Sequence, residues 1–188
     1  MTNPDFVHLH VHSEYSLLDG ANRIKDLVKA CKDDGQRALA LTDHGNMHGA
    51  VELYTNCKKG DVKPLVGCEV YVARRSMKEK HNKRAGNGYS HLTLIARNEV
   101  GYRNLSRLTT AAFIDGYSFR PRIDMDLLGG HTEGISCLSG CLAGEINQLF
   151  LSNKEKEAED LAVKLRDQFG PEHFWLELQR NGIDLQNT

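Results

Sequence analysis

Apolar residues recur along this chain with two different periods, and the changes between them mark out its elements. Residues 6–12 read FVHLHVH, an alternation that predicts a β-strand. Residues 38–42 (ALALT), 64–73 (PLVGCEVYVA), 91–96 (HLTLIA), 134–139 (GISCLS) and 173–179 (HFWLELQ) predict five more. Helical spacing fills most of the intervals. A helix over 23–34 carries Ile24, Leu27, Val28 and Cys31 in one stripe, with Asn22 as its cap and Gly35 as its stop. A second, over 47–58, has Met47, Ala50, Val51, Tyr54 and Cys57 on one side. Asn98 caps a third, to about residue 112, with Tyr102, Leu105, Leu108 and Ala112 inward. A short helix over 143–151 precedes one that a Ser152/Glu155 capping box opens and that runs to Phe169, with Ala158, Leu161, Ala162 and Leu165 on the core side.

Six strands separated largely by helices describe an α/β chain with a mainly parallel sheet. In such sheets, open or wrapped toward a barrel, the ligand site lies beyond the carboxyl ends of the strands. His12 ends the first expected strand, His44 follows the second, Glu69 lies late in the third, and Cys141 follows the fifth. His91 breaks the rule, because it opens its strand.

The residue types at these places are metal ligands. His8, His10 and His12 alternate with Leu9 and Val11, so on a strand their imidazoles share a face. Asp19 follows in a Leu-Leu-Asp-Gly turn. The set His10, His12, Asp19, His44, Glu69, His91 and Cys141 mixes imidazole, carboxylate and thiolate, which suits Zn²⁺, Mn²⁺ or Fe, with Mg²⁺ also admissible. One catalytic zinc takes about three protein ligands, so seven candidates point to more than one ion, with Glu69 as the bridge. A metal-bound water would be the nucleophile, needing no nucleophilic side chain. Asp43 either orients His44 or caps the following helix. His8 is expected one layer deeper, as a structural residue, and Cys31, Cys57, Cys68 and Cys137 fit core positions. His48, His81, His131 and His173 have no supporting context.

Composition narrows the picture further. The net charge of −1 gives no global pull toward nucleic acid, so any such contact must be local. Residues 74–89 carry Arg74, Arg75, Lys78, Lys80, Lys83 and Arg84 against the single acid Glu79, either as a solvated loop or as a phosphate contact. Phe119-Arg120-Pro121-Arg122 forms a rigid basic connection whose arginines could meet phosphate or an acid. Arg74, Arg75, Arg120 and Arg122 are the candidate DNA contacts. Five cysteines without a Cys-x-x-Cys pair predict reduced thiols and a cytoplasmic protein. No signal peptide is read, and no apolar run reaches the ~20 residues of a membrane span.

The stretches FVHLHVHSEYSLLDG, ALALTDHGNMHGAVELY, KPLVGCEVYVA, HLTLIARNEVGYRNLSRL and LSGCLAGE resemble the PHP (polymerase and histidinol phosphatase) superfamily, and within it the PHP domains of bacterial replicative DNA polymerases. The resemblance runs over essentially the whole chain. It implies a distorted seven-stranded (β/α) barrel, up to three metal ions, and ligand roles for the seven residues above. It implies 3′–5′ exonuclease proofreading on DNA in some members and, in others, a scaffold that helps hold a separate proofreading subunit. It implies the remainder of a polymerase chain, DNA and other replisome subunits as partners. A free-standing phosphatase for a small ester is the third reading. The family pattern closes with an Asp-x-His motif, which is absent after Gln179. Residues 1–188 are therefore expected to be one PHP domain cut from a longer polypeptide, without its last strand and last two ligands.

Overall fold

The apolar runs and stripes give, in chain order, α1 (Ile24–Asp33), β1 (Ala38–Leu41), α2 (Ala50–Gly60), β2 (Lys63–Ala73), β3 (Tyr89–Ala96), α3 (Glu99–Ile114), β4 (Arg122–Ile123), α4 (Met125–Gly129), β5 (Ile135–Leu138), α5 (Glu145–Leu151), α6 (Glu155–Phe169) and β6 (Phe174–Trp175). The computed structural model describes residues 6–17, 19–80 and 88–186.

The fold is mixed α/β. Its strands follow the order β1-β2-β3-β5-β6, with the short β4 paired to β2 beyond the end of β1. β1–β2, β2–β4 and β5–β6 are parallel, while β3 is antiparallel to both β2 and β5. The reversal has a simple cause. Parallel neighbours need a long crossover, normally a helix, and no helix is assigned among the described residues between β2 and β3. The barrel is not closed: among the described residues β1 and β6 share no ladder.

Alternation along the two central strands separates packing from chemistry. Cys68, Val70 and Val72 of β2 and Leu92 and Leu94 of β3 face a core completed by Leu105 and Leu108 of α3, Ile123, Leu128, Ile135 and Leu165 of α6. Burying each such side chain contributes about 1.5–3 kcal/mol. A second core packs Ile24 and Val28 of α1 and Leu53 of α2 against Leu39 and Leu41. On the opposite sheet face, among the described residues, Ala40, Ile95 and Leu138 cluster as a small buried apolar layer, with Leu65 packed on it. The remaining positions there, including Glu69, Tyr71, His91 and Thr93, are left for polar groups.

Several expectations are corrected. Residues 6–12 run beside β1 without becoming a strand. Ala40 N donates to His8 O and Thr42 N to Val11 O, so three residues of this segment span two of its neighbour. The Val11 amide bonds the Thr42 hydroxyl at 2.9 Å, not a backbone carbonyl, which breaks the ladder. Asn22 does not cap α1; its amide donates to His12 O. On α2 the buried side is Ala50, Leu53 and Cys57, while Val51 and Tyr54 are exposed. Tyr102 also points outward. The Ser152/Glu155 box does not form, because the Ser152 hydroxyl turns back to Gln148 O and closes α5. β6 is only two residues long, since the chain after Trp175 leaves the sheet. β4 lies in the segment read as a basic connection.

Candidate metal centre

The β1–β2 pairing continues past Leu41 as an isolated bridge between His44 and Glu69. Gly45 N donates to Glu69 O, and Glu69 N to Asp43 O. The third residue after β1 therefore faces the one acid within β2. On the other side, the β2–β3 register sets His91 opposite Tyr71, two positions from Glu69. Because β3 is reversed, its first residues lie at the rim where the other strands end. The apparent exception, His91, thus obeys the carboxyl-end rule.

These pairings make Glu69 the hub. The residue is 1% exposed. Its Oε2 stands 2.8 Å from His12 Nε2, 2.9 Å from His44 Nδ1 and 3.3 Å from His10 Nε2. Its Oε1 is 2.8 Å from His91 Nδ1 and 3.6 Å from Cys141 Sγ. Asp19 Oδ2 lies on the far side of two of the rings, 2.8 Å from His44 Nε2 and 3.3 Å from His12 Nδ1. Gly20 permits this turn, since a Cβ there would lie 1.8 Å from Ser13 O. Gly140, with φ +84°, similarly turns the chain from β5 into Cys141.

The electrostatics follow from burial and crowding. Burial alone would raise the Glu69 pKa, but four imidazoles outweigh it and hold this carboxyl well below the usual carboxylate range. His10 is pushed down by burial and lifted more strongly by Glu177 and Glu69, to about 10. His44 is raised by Glu69 and Asp19 against its own desolvation. Burial first, then Glu69, pushes the Cys141 thiol up to about 11.

Three triads of donor atoms could each hold an ion: His10–His12–Glu69, His12–Asp19–His44 and His44–Glu69–His91. Six of the seven expected ligands fall in these triads; Cys141 belongs to none, although its sulfur adjoins Glu69. The fit to cations rests on an unusual feature. His12 Nε2 and His44 Nδ1 each lie within 3 Å of Glu69 Oε2 and all three atoms are buried, yet none makes a well-directed hydrogen bond. Buried polar atoms rarely go unsatisfied, and donors converging on a common point are what a metal ion requires. The first and third triads share only Glu69, whose two oxygens can serve two ions. With one nitrogen per ring, these donors suffice for two; a third ion, seated on Asp19, needs a ligand this set does not supply.

Glu177 was not expected here. Its Oε1 lies 2.6 Å from His10 Nδ1, and Thr93 Oγ1 and Gln179 Nε2 also approach that nitrogen. Glu177 sits just beyond β6, so the carboxyl-end rule applied to HFWLELQ would have found it. Asp43 neither touches the His44 ring nor caps α2. It is buried and accepts bonds from Ser13 N, Ser13 Oγ and Ser16 Oγ, pinning the loop that leads to Asp19, while Ser16 Oγ accepts from His44 N. His8 is exposed and not deeper in the sheet.

Among the arginines, Arg122 is buried and donates to the carbonyls of Gly116, Met77 and Glu79, so it is not offered to phosphate. Arg120 is half-buried, with its guanidinium 5.9 Å from the Tyr71 ring centroid. Arg74 and Arg75 are exposed just after β2. Lys83, Arg84 and His81 lie outside the described residues. His131 hydrogen-bonds Leu127 O, and His48 packs against Tyr15 and Phe113.

Comparison with known proteins places this site in context. The PHP domain family matches residues 8–181. DNA polymerase III subunit alpha of Treponema pallidum is 47% identical over 98% of this chain, and that of Borreliella burgdorferi 44% identical over 97%; in each case 16% of the relative is covered. The protein of the same name from Deinococcus radiodurans is 44% identical over 96% of this chain and 14% of its own length. The chain therefore spans about one sixth of these relatives. An amidohydrolase structure from Chromobacterium violaceum aligns over 56% of this chain and 32% of its own, at 22% identity and TM-score 0.42.

Proposed function

Since this chain belongs to the PHP domain family, we propose that its histidine–carboxylate cluster binds divalent cations and hydrolyses phosphodiester bonds at the 3′ end of DNA, as the 3′–5′ exonuclease part of a larger replicative polymerase. The observation that carries this reading is the division of the Glu69 carboxylate between two sets of imidazoles. When bound, paired cations lower the pKa of a coordinated water to ~7 and offset charge on the phosphoryl group. His10, His12 and Glu69 would hold one ion, and Glu69, His91, His44 and Cys141 a second. Asp19 serves as a ligand to a further ion or, without one, fixes the tautomers of His12 and His44. This borderline donor set suits Zn²⁺, Mn²⁺ or Fe, with Mg²⁺ weaker. Arg120 at the mouth, and Arg74 and Arg75 beside it, are the cations available to DNA phosphates. Five free thiols, four of them buried, suit a reducing cytoplasm.

The test uses the full-length protein on a single-stranded oligonucleotide, with and without Mn²⁺ or Zn²⁺. Metal-stimulated release of 3′ nucleotides, lost in Glu69→Gln and His10→Ala while polymerase activity remains, is the expected result. Wild-type rates in either variant would rule the site out.

A second reading, a metal-stabilised scaffold, draws on a different observation. Phe6, Leu9, Trp175, Leu176 and Leu178 are exposed around a cleft of about 700 Å³ between residues 6–10 and the chain after β6. We propose that further polymerase sequence, or a proofreading subunit, covers it. Protection of these residues from hydrogen exchange in the longer chain, with no nuclease activity under any metal, would favour the scaffold.

A further inference from the structure

Beside the metal centre lies a second cleft, of about 640 Å³, which Asp19, His44 and His91 help to line. Its inner surface is aromatic. Tyr71 stacks on His44 with centroids 5.6 Å apart and planes 10° from parallel, and Tyr89 lies nearly parallel to His91 at 6.0 Å. Its outer wall is built from Phe113, Tyr117 and Phe119, which are 45%, 50% and 51% exposed. Phe113 and Tyr117 stack on each other at 6.3 Å. Rings of this size are normally buried for their apolar area, so three half-exposed at one cleft call for a ligand.

Two further features identify its chemistry. Phe119 has φ +62°, a left-handed conformation that glycine adopts freely and a bulky side chain does not. The fold thus holds a phenyl ring at the mouth against its steric preference, which is characteristic of functional positions. The guanidinium of Arg120 lies over Tyr71, and Lys80 Nζ donates to Tyr117 O, so cations border the same cleft. Aromatic faces joined to cations are the means by which single-stranded nucleic acid is bound without reading its sequence.

We infer that this cleft receives the 3′-terminal nucleoside of a single strand, its base stacked among Phe113, Tyr117 and Phe119 and its phosphate directed to Arg120, on the side of the cleft that borders the metal centre. The inference rests on the phosphodiesterase reading and names its substrate subsite. A base unpaired from its complement reaches such a wall more readily than one held in a duplex, so the cleft favours frayed ends.

The full-length protein is tested in chelator with an oligonucleotide ending in 5-iodouracil, irradiated and mapped by mass spectrometry. Adducts within residues 113–119 are expected. Phe119→Gly, which relieves the backbone, should keep the melting temperature at or above wild type yet weaken binding of the 3′ end about five- to hundredfold, the range of one stacked base. Phe113→Ala should do the same. Adducts only elsewhere, or labelling indifferent to both variants, would overturn the inference. Adducts at 113–119 without hydrolysis under any metal would instead sink the nuclease reading and leave the subsite standing.

Discussion

The Nδ1 atom of His10 lies 2.6 Å from Oε1 of Glu177, on the opposite side of the ring from Glu69, whose Oε2 is 3.3 Å from Nε2. A carboxylate on the outer nitrogen of an imidazole fixes its tautomer and leaves the inner nitrogen free to bind metal.

Glu177→Gln should therefore weaken metal binding about 10–100-fold, the usual cost of losing such an orienting group. Isothermal titration with Mn²⁺ or Zn²⁺ measures it. An unchanged affinity would show that Glu177 only neutralises local charge.

Metal binding should also release protons at a pH where free histidine would release few. With its pKa near 10, His10 is protonated in the metal-free protein at neutral pH, and an ion must displace that proton. Apparent affinity should rise with pH from 7 through 9. Calorimetry at pH 8 in buffers of different ionisation enthalpy should report at least two protons released when both ions bind, one from His10 and one from the Cys141 thiol. The same shift has a stability consequence. A raised histidine pKa contributes stability below the unfolded value near 6.5, and this is lost as pH rises toward 10. The metal-free protein should thus weaken between pH 7 and 10, and bound metal should flatten that decline.

Chelation should lower the melting temperature. An ion present at about 100 times its Kd stabilises by about 2.7 kcal/mol, which for a domain of this size is about 5–10 °C. Differential scanning calorimetry with and without EDTA checks it, and Glu69→Gln should abolish the difference.

Arg122→Ala should destabilise by about 2–4 kcal/mol, because carbonyls of Gly116, Met77 and Glu79 lose their donor. Arg120→Ala should leave stability within about 0.5 kcal/mol while weakening DNA binding in a salt-dependent way. Denaturant melts and binding at two salt concentrations separate the two roles.

Which of these features could be read from the sequence depended on how local they were. The histidine alternation at 8–12, the acid inside PLVGCEVYVA and the rule of strand ends pointed to the residues that the fold gathers around Glu69, because side-chain type and period act within a few residues. Strand direction is not local. Nothing in HLTLIA shows that β3 runs backwards, so His91 looked misplaced until its neighbours were known. The failure of residues 6–12 to join the sheet rests on one hydroxyl, that of Thr42, taking an amide. Arg120 and Arg122 are two residues apart with the same chemistry, and only the tertiary fold sends one to the mouth and the other to buried carbonyls.

The backward run of β3 also decides how this protein can change. A crossover would carry the chain from the end of β2 to the far end of the sheet. Here β2 ends and β3 begins at the same rim, with Ala73 opposite Tyr89, next to the Glu69 cluster. The first residues past β2 are tied to the framework there: Met77 N donates to the Asp124 carboxylate and Arg122 donates to the carbonyls of Met77 and Glu79, so a change at this edge is felt by the core as well as by the mouth of the cluster. The entrance to the cluster and the packing beneath it therefore cannot be altered independently.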